Sequence, residues 1–134
     1  MNESSFKFLG YRISQINCRI EDGYGKAQEN INQKINIENY FNQDNKKFVE
    51  VVLNIAVKSD TNNFDFFLKI KGGFLASNDI NDEDFQKLAQ NNGPAILFPF
   101  ARSIITSYTA QANIPPIILP TINFFVDKNR QKID

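Results

Sequence analysis

Residues 93–126, GPAILFPFARSIITSYTAQANIPPIILPTINFFV, form a tract of 34 residues in which Arg102 is the one formal charge. Surfaces facing water are dense in Lys, Arg, Asp and Glu, so most of this tract must be buried. A membrane does not bury it. Pro99, Pro115, Pro116 and Pro120 interrupt it, Arg102 sits inside its longest helical piece, and an uninterrupted apolar run of about 18 residues is missing, so no stable membrane insertion is expected. A chain of 134 residues has a modest interior of its own. Part of the tract is therefore expected to meet another copy of the chain, or something the chain holds.

Composition narrows the chemistry. The 15 basic and 15 acidic side chains cancel, with neither sign in blocks, which leaves no basic footprint for nucleic acid. Histidine is absent and Cys18 is the one cysteine. An internal disulfide, a His-based triad and a His or multi-Cys metal site are excluded. The acids Asp82, Glu83 and Asp84 read as residues complementing a helix start, not as a metal site. Length places the whole chain, 1–134, in a single domain. The opening MNESSFKFLGYR has no apolar h-region, which predicts cytoplasmic residence.

The hydrophobic pattern assigns elements in order. From Phe6 to Ile20 the residues alternate, but Leu9, Tyr11 and Ile13 share one parity and Ile16, Cys18 and Ile20 the other. A strand can keep one face only by inserting a residue, which predicts a bulge near Ser14 and Gln15. Residues 21–47 are polar with a thin apolar thread, and are expected to form a surface crossover with one short strand at 34–38. Val49, Val51, Leu53, Ile55 and Val57 alternate with polar residues, as do Phe64, Phe66, Leu68 and Ile70. With Asp60-Thr61-Asn62-Asn63 between them they read as an antiparallel hairpin with one buried face. Gly72 and Gly73 are expected to bend or bulge its second strand. A short helix at 82–90 should end at Asn92-Gly93-Pro94. A long helix at 95–112 should carry Pro99 near its first turn. An extended proline segment follows, and then a helix at 121–131 with Ile122, Phe125 and Val126 on one face.

Four blocks carry a resemblance: Glu50-Val51-Val52-Leu53, Gly72-Gly73-Phe74, Ile96-Leu97-Phe98-Pro99-Phe100-Ala101-Arg102, and Ile118-Leu119-Pro120-Thr121-Ile122-Asn123-Phe124. With the element order above, the chain resembles the SecB protein-export chaperones. The resemblance implies an α+β fold: a four-stranded antiparallel sheet, two main helices packed on one face, and a long crossover between the first two strands. It implies a homotetramer, a dimer of dimers, without cofactor or catalysis, that binds unfolded or nascent polypeptides in hydrophobic grooves. Export members hand clients to the motor SecA through acids on the outer sheet face, whereas this chain has Gln15, Arg19 and Lys69 there. Other members protect the antitoxin of a toxin–antitoxin pair. A non-chaperone oligomeric adaptor is the remaining alternative.

Two residue sets follow. The stripe Leu97, Ala101, Ile104, Ile105 and Tyr108 on the long helix is expected to serve core and subunit contact. Ile31, Ile35, Ile37, Tyr40, Phe41, Phe74, Leu75, Ile117, Ile118, Phe124 and Phe125 exceed what one core face can hold. They are expected to line a groove for extended, apolar, aromatic-rich peptides. Arg102, inside apolar surroundings, needs a carboxylate or helix-end carbonyls.

Overall fold

The central hairpin forms as its alternation dictates. In the computed structural model, which describes residues 6–42, 44 and 47–125, β3 (Phe48–Ser59) and β4 (Phe64–Ala76) pair antiparallel with Leu53 opposite Ile70 and Val57 opposite Phe66. Their inward side chains, from Val49 to Val57 and from Phe64 to Ile70, are fully buried. Each such side chain contributes roughly 1.5–3 kcal/mol over leaving it in water. Asn62 takes φ +68° in the connecting turn, a conformation asparagine tolerates, and its N–H donates to the Ser59 carbonyl. The hairpin is flanked by β1 (Phe6–Ile20) and β2 (Ile31–Phe41), giving the antiparallel order β1-β4-β3-β2. The fold is the α+β type expected.

The parity slip in β1 is resolved by two bulges. The register against β4 shifts between Ile13 and Gln15, as expected, and again between Phe8 and Gly10, where Gly10 adopts φ +111°. Phe6, Phe8, Tyr11, Ile13, Ile16, Cys18 and Ile20 are thereby opposite the inward residues of β4. Leu9, at the extra bulge, packs instead beside Gly73 on the outer face. The bulges lie in β1, not at Gly72 and Gly73, which run straight through β4 and pair in register with β3. Their role is close approach: a Cβ on Gly72 would lie 2.8 Å from a Leu97 methyl.

Within the expected crossover the short strand expected at 34–38 is longer, Ile31–Phe41. All of Ile31–Phe41 pairs with β3, leaving residues 21–30 to pass the β3–β4 turn, pinned by Glu21 N–H to the Asn63 carbonyl and by Asp60 N–H to the Asn30 carbonyl. Alternation hid the full length of this strand because Gln33 and Asn39 occupy inward positions, opposite Val57 and Val51. The side-chain amide oxygens of both are buried without a hydrogen-bond partner among the described residues.

One face of the sheet carries the helices. The Asn81 carboxamide oxygen caps α1 (Asp82–Lys87) by accepting the Asp84 N–H at 2.8 Å. The expected break at Asn92-Gly93-Pro94 does not occur. A π-helical turn, Leu88–Asn92, joins α1 directly to α2 (Gly93–Gln111), and Pro94 falls in the first turn of α2, where an N–H is dispensable. Pro99 therefore lies further in than expected, interior to α2. Asn113, at φ +65°, ends the helix in the left-handed conformation. Beyond it, 114 is a bend, 115–123 have no regular secondary structure and 124–125 form a turn, so 121–125 of the helix expected at 121–131 are not helical; the rest, with Val126, lies outside the described residues.

Gly93 packs so closely that an added Cβ would meet the Val51 γ-methyl at 2.8 Å, and Val51 is a stiff residue in the central sheet. We expect Gly93→Ala to lower unfolding free energy by about 1–3 kcal/mol in urea denaturation, with the m-value unchanged.

Candidate functional site

Helix α2 lies over β3 and β4, with Leu97, Phe98, Ala101, Ile105 and Thr109 buried against them. The two flanks of this seam differ. On one flank, toward β1, an open depression of about 570 Å³ is lined by Ile13, Ile16, Ser103, Ile104, Ser107 and Tyr108. Tyr11 and Phe100 extend it, with ring centroids 4.7 Å apart, and Tyr11, Ile13, Phe100 and Tyr108 are all exposed.

The other flank is filled by the chain itself. After Asn113 the backbone reverses, and residues 114–125 run back along α2 as a strap. Thr109 Oγ1 accepts the Ile117 N–H at 2.9 Å, while Thr106 Oγ1 donates to the Ile117 carbonyl at 2.8 Å and Arg102 Nε donates to the Leu119 carbonyl at 2.9 Å. Arg102, Thr106 and Thr109 fall at spacings of four and three, a single row on the helix surface. All three grip main-chain atoms, so the grip is indifferent to side chains. Meanwhile Ile117, Leu119 and Phe124 are buried, with Phe124 edge-on to Phe98 at 5.6 Å, and Ile118 and Phe125 point out at 73% and 57% exposure.

The eleven groove residues expected from sequence thus divide. Ile35, Phe74, Ile117 and Phe124 are buried within one protomer; Ile31, Ile37, Phe41 and Leu75 are half-buried; Tyr40, Ile118 and Phe125 are exposed. Ile31, Ile35, Ile37 and Phe41 share the inner face of β2. Phe74 is elsewhere, stacked on Phe6 and Phe8 toward β1, while Tyr40 and Leu75 lie on the outer sheet face. Within the helical stripe, Leu97, Ala101 and Ile105 have no exposed surface to offer a second copy; Ile104 and Tyr108 do. Among the described residues Arg102 finds neither a carboxylate nor a helix end but the strap carbonyl of Leu119. Sequence reasoning missed the gripping row altogether. Its signal was Thr106 and Thr109 lying one and two helical turns beyond Arg102, the one charge in the helix.

The Cys18 thiol is pushed up by burial first and by the Asp65 carboxylate second, which makes it a poor thiolate. Among the described residues no group of His, Cys, Asp and Glu could hold a metal ion, and no helix is long and apolar enough to cross a membrane.

Against this geometry the comparisons are decisive for the family. The family model described as preprotein translocase subunit SecB matches residues 16–131. The chain belongs to the SecB family. It is 31% identical over 124 residues to the uncharacterised protein MJ0357 of Methanocaldococcus jannaschii, covering 89% of this chain and 79% of that one. It is 38% identical over 106 residues to the protein-export protein SecB of Cellvibrio japonicus, covering 77% of this chain and 62% of the relative. The SecB-like fold recurs in the Mycobacterium tuberculosis chaperone Rv1957, solved with a ChAD peptide from the HigA1 antitoxin. The match has a TM-score of 0.74 at 10% identity and covers 90% of this chain and 89% of that one. The SecB match at 16–131 takes in the gripping row and the strap, so both belong to the family's own portion of the chain.

Thr109→Val keeps the shape of the side chain but strands the Ile117 N–H. The expected loss is about 1–3 kcal/mol of stability, together with faster amide exchange at Ile117 than at the strands, measured by hydrogen-exchange NMR.

Proposed function

We propose that this chain is a cytoplasmic, ATP-independent holdase that keeps non-native polypeptides unfolded by binding their extended apolar segments, without catalysis or cofactor. The observation that carries this is the strap. An extended polypeptide already lies beside α2 with its backbone gripped by Arg102, Thr106 and Thr109 and its alternate side chains buried. A client segment has the same two needs, backbone partners and burial for every other side chain, and the same row serves any sequence. Clients exchange with the strap. Ile31, Ile35, Ile37 and Phe41 on the inner face of β2 then meet the client, the amide oxygens of Gln33 and Asn39 accept its N–H groups, and Ile118 and Phe125 add apolar contact as the strap swings out. One buried Leu or Phe is worth about 1.5–3 kcal/mol before ordering costs, so tight holding needs several sites along one client.

Those several sites come from self-association into a dimer of dimers. The open flank of α2 beside β1 is the surface for it, through Ile13, Ile104 and Tyr108. A second reading narrows the clients to one antitoxin. It is favoured by Gln15, Arg19 and Lys69 on the outer face, where the resemblance gives export members acids for SecA; like charges opposed across an interface repel.

Leu119→Ala loosens the strap without altering α2 or β2. It should lower the chaperone concentration that half-suppresses aggregation of a reduced, unfolded client, by about tenfold. An unchanged or higher concentration would refute strap exchange. Ile13→Asp with Tyr108→Asp is expected to reduce the mass seen by light scattering to that of a smaller assembly, and a mass equal to wild type would remove the open flank as the contact.

A further inference from the structure

The outer sheet face, opposite the helices, is polarised. Arg12 on β1 stands directly opposite Lys71 on β4, and Lys69 follows two residues along on the same face, opposite Gln15. Like charges set directly opposite across a strand pair oppose folding. None of these three cations has an ion pair or side-chain hydrogen bond among the described residues. The same face carries Lys7, Lys34, Lys58 and Arg19 as well; Lys58 stands directly opposite Asp65, and Arg19 meets Glu21 at 2.6 Å and Asp65 at 3.6 Å. The nearest acid across the sheet from Lys71 is Glu50, on β3 opposite Gly73 and so diagonal to Lys71, and it makes no ion pair among the described residues; further over, beyond Val52, Glu38 accepts from the Asn54 carboxamide at 3.0 Å. So three positive charges lie close together without an ion pair among the described residues, Arg12 exposed and Lys69 and Lys71 half-buried.

We infer that the strip Arg12–Lys71–Lys69 is a docking surface for an acidic segment of a partner polypeptide. The surroundings choose polypeptide over polyphosphate. Glu38, Glu50 and Asp65 share the face, on or beyond its β3 and β4 rows, and a continuous phosphate backbone would have to cross them. The chain as a whole has no net charge to draw nucleic acid from a distance. Toward one end the strip abuts an apolar shoulder of Leu9, half exposed, with Phe48 beside it against Gly73. Cations beside a small apolar shelf fit carboxylates followed by a large apolar side chain. Adjacent strands stand about 4.8 Å apart and alternate residues of a strand about 6.8 Å, which matches carboxylates on an extended partner segment. Such docking uses the face away from the strap, so a partner and a client can be held at once.

The test is fluorescence anisotropy with a labelled Glu-rich peptide ending in Leu, against its Gln counterpart and a labelled short DNA duplex. Binding should favour the Glu peptide, weaken as salt rises, and fall about tenfold or more in the variant Arg12→Gln, Lys69→Gln, Lys71→Gln. That variant should melt no lower than wild type, since repulsion has been relieved, and should suppress client aggregation as before. Equal binding by the variant, tighter binding of the duplex, or a lowered melting temperature would each overturn the inference. Loss of client protection in wild type would bear on the holdase role and not on this surface.

Discussion

A four-stranded sheet is wider than one helix. Strands spaced about 4.8 Å apart make a face of roughly 15–19 Å, and a helix with its side chains covers about 10–12 Å. With α2 seated over β3 and β4, a strip of apolar sheet is left on each side of it. On the β2 side the chain folds its own proline-interrupted tail over the gap. On the β1 side nothing among the described residues does so, and Tyr11, Ile13, Phe100 and Tyr108 stay in view of solvent. The two strips explain why so apolar a tract is tolerated in so short a chain. One half is consumed internally and the other is left for contact.

The strap is held in a way that suits exchange. Its prolines, Pro115, Pro116 and Pro120, keep it from continuing the helix and fix it in extended form. Its main chain is bound by side chains of α2 and not by a sheet ladder. Three hydrogen bonds, each with a net worth of about 0.5–1.5 kcal/mol, and three buried side chains hold it firmly but not irreversibly. The orphaned amides of Gln33 and Asn39 point the same way. Buried polar atoms without partners cost stability, and the two side-chain oxygens on the inner face of β2 have none among the described residues, as the proposed client contact requires.

Polar and apolar work are divided between the faces of the sheet. In the proposed function the inner face binds by burial and backbone geometry, which gives breadth. The docking inferred for the outer face, with Arg12, Lys69 and Lys71 set against Glu38 and Glu50, would discriminate by sign. Because β3 and β4 are interior strands with continuous register, a load on one face does not need to disturb the other.

By itself the sequence determined what local periodicity can determine. The β3–β4 hairpin, the bulge beyond Ile13, the helical stripe of Leu97, Ala101 and Ile105, and the family blocks such as ILFPFAR were all legible, because each is a short-range pattern. It revealed only the middle of β2, at 34–38, since Gln33 and Asn39 break the alternation and only pairing with β3 extends the strand over Ile31–Phe41. Nor did it reveal that Asn92-Gly93-Pro94 passes through a π turn without ending the helix. Which apolar residues are surface and which are core was decided by tertiary structure alone. Ile117 and Ile118 are neighbours of the same type, yet one is buried and the other is among the most exposed apolar residues described. The difference is set by which side of an extended strap faces α2, and that depends on Arg102, Thr106 and Thr109 reaching main-chain atoms up to 17 residues away.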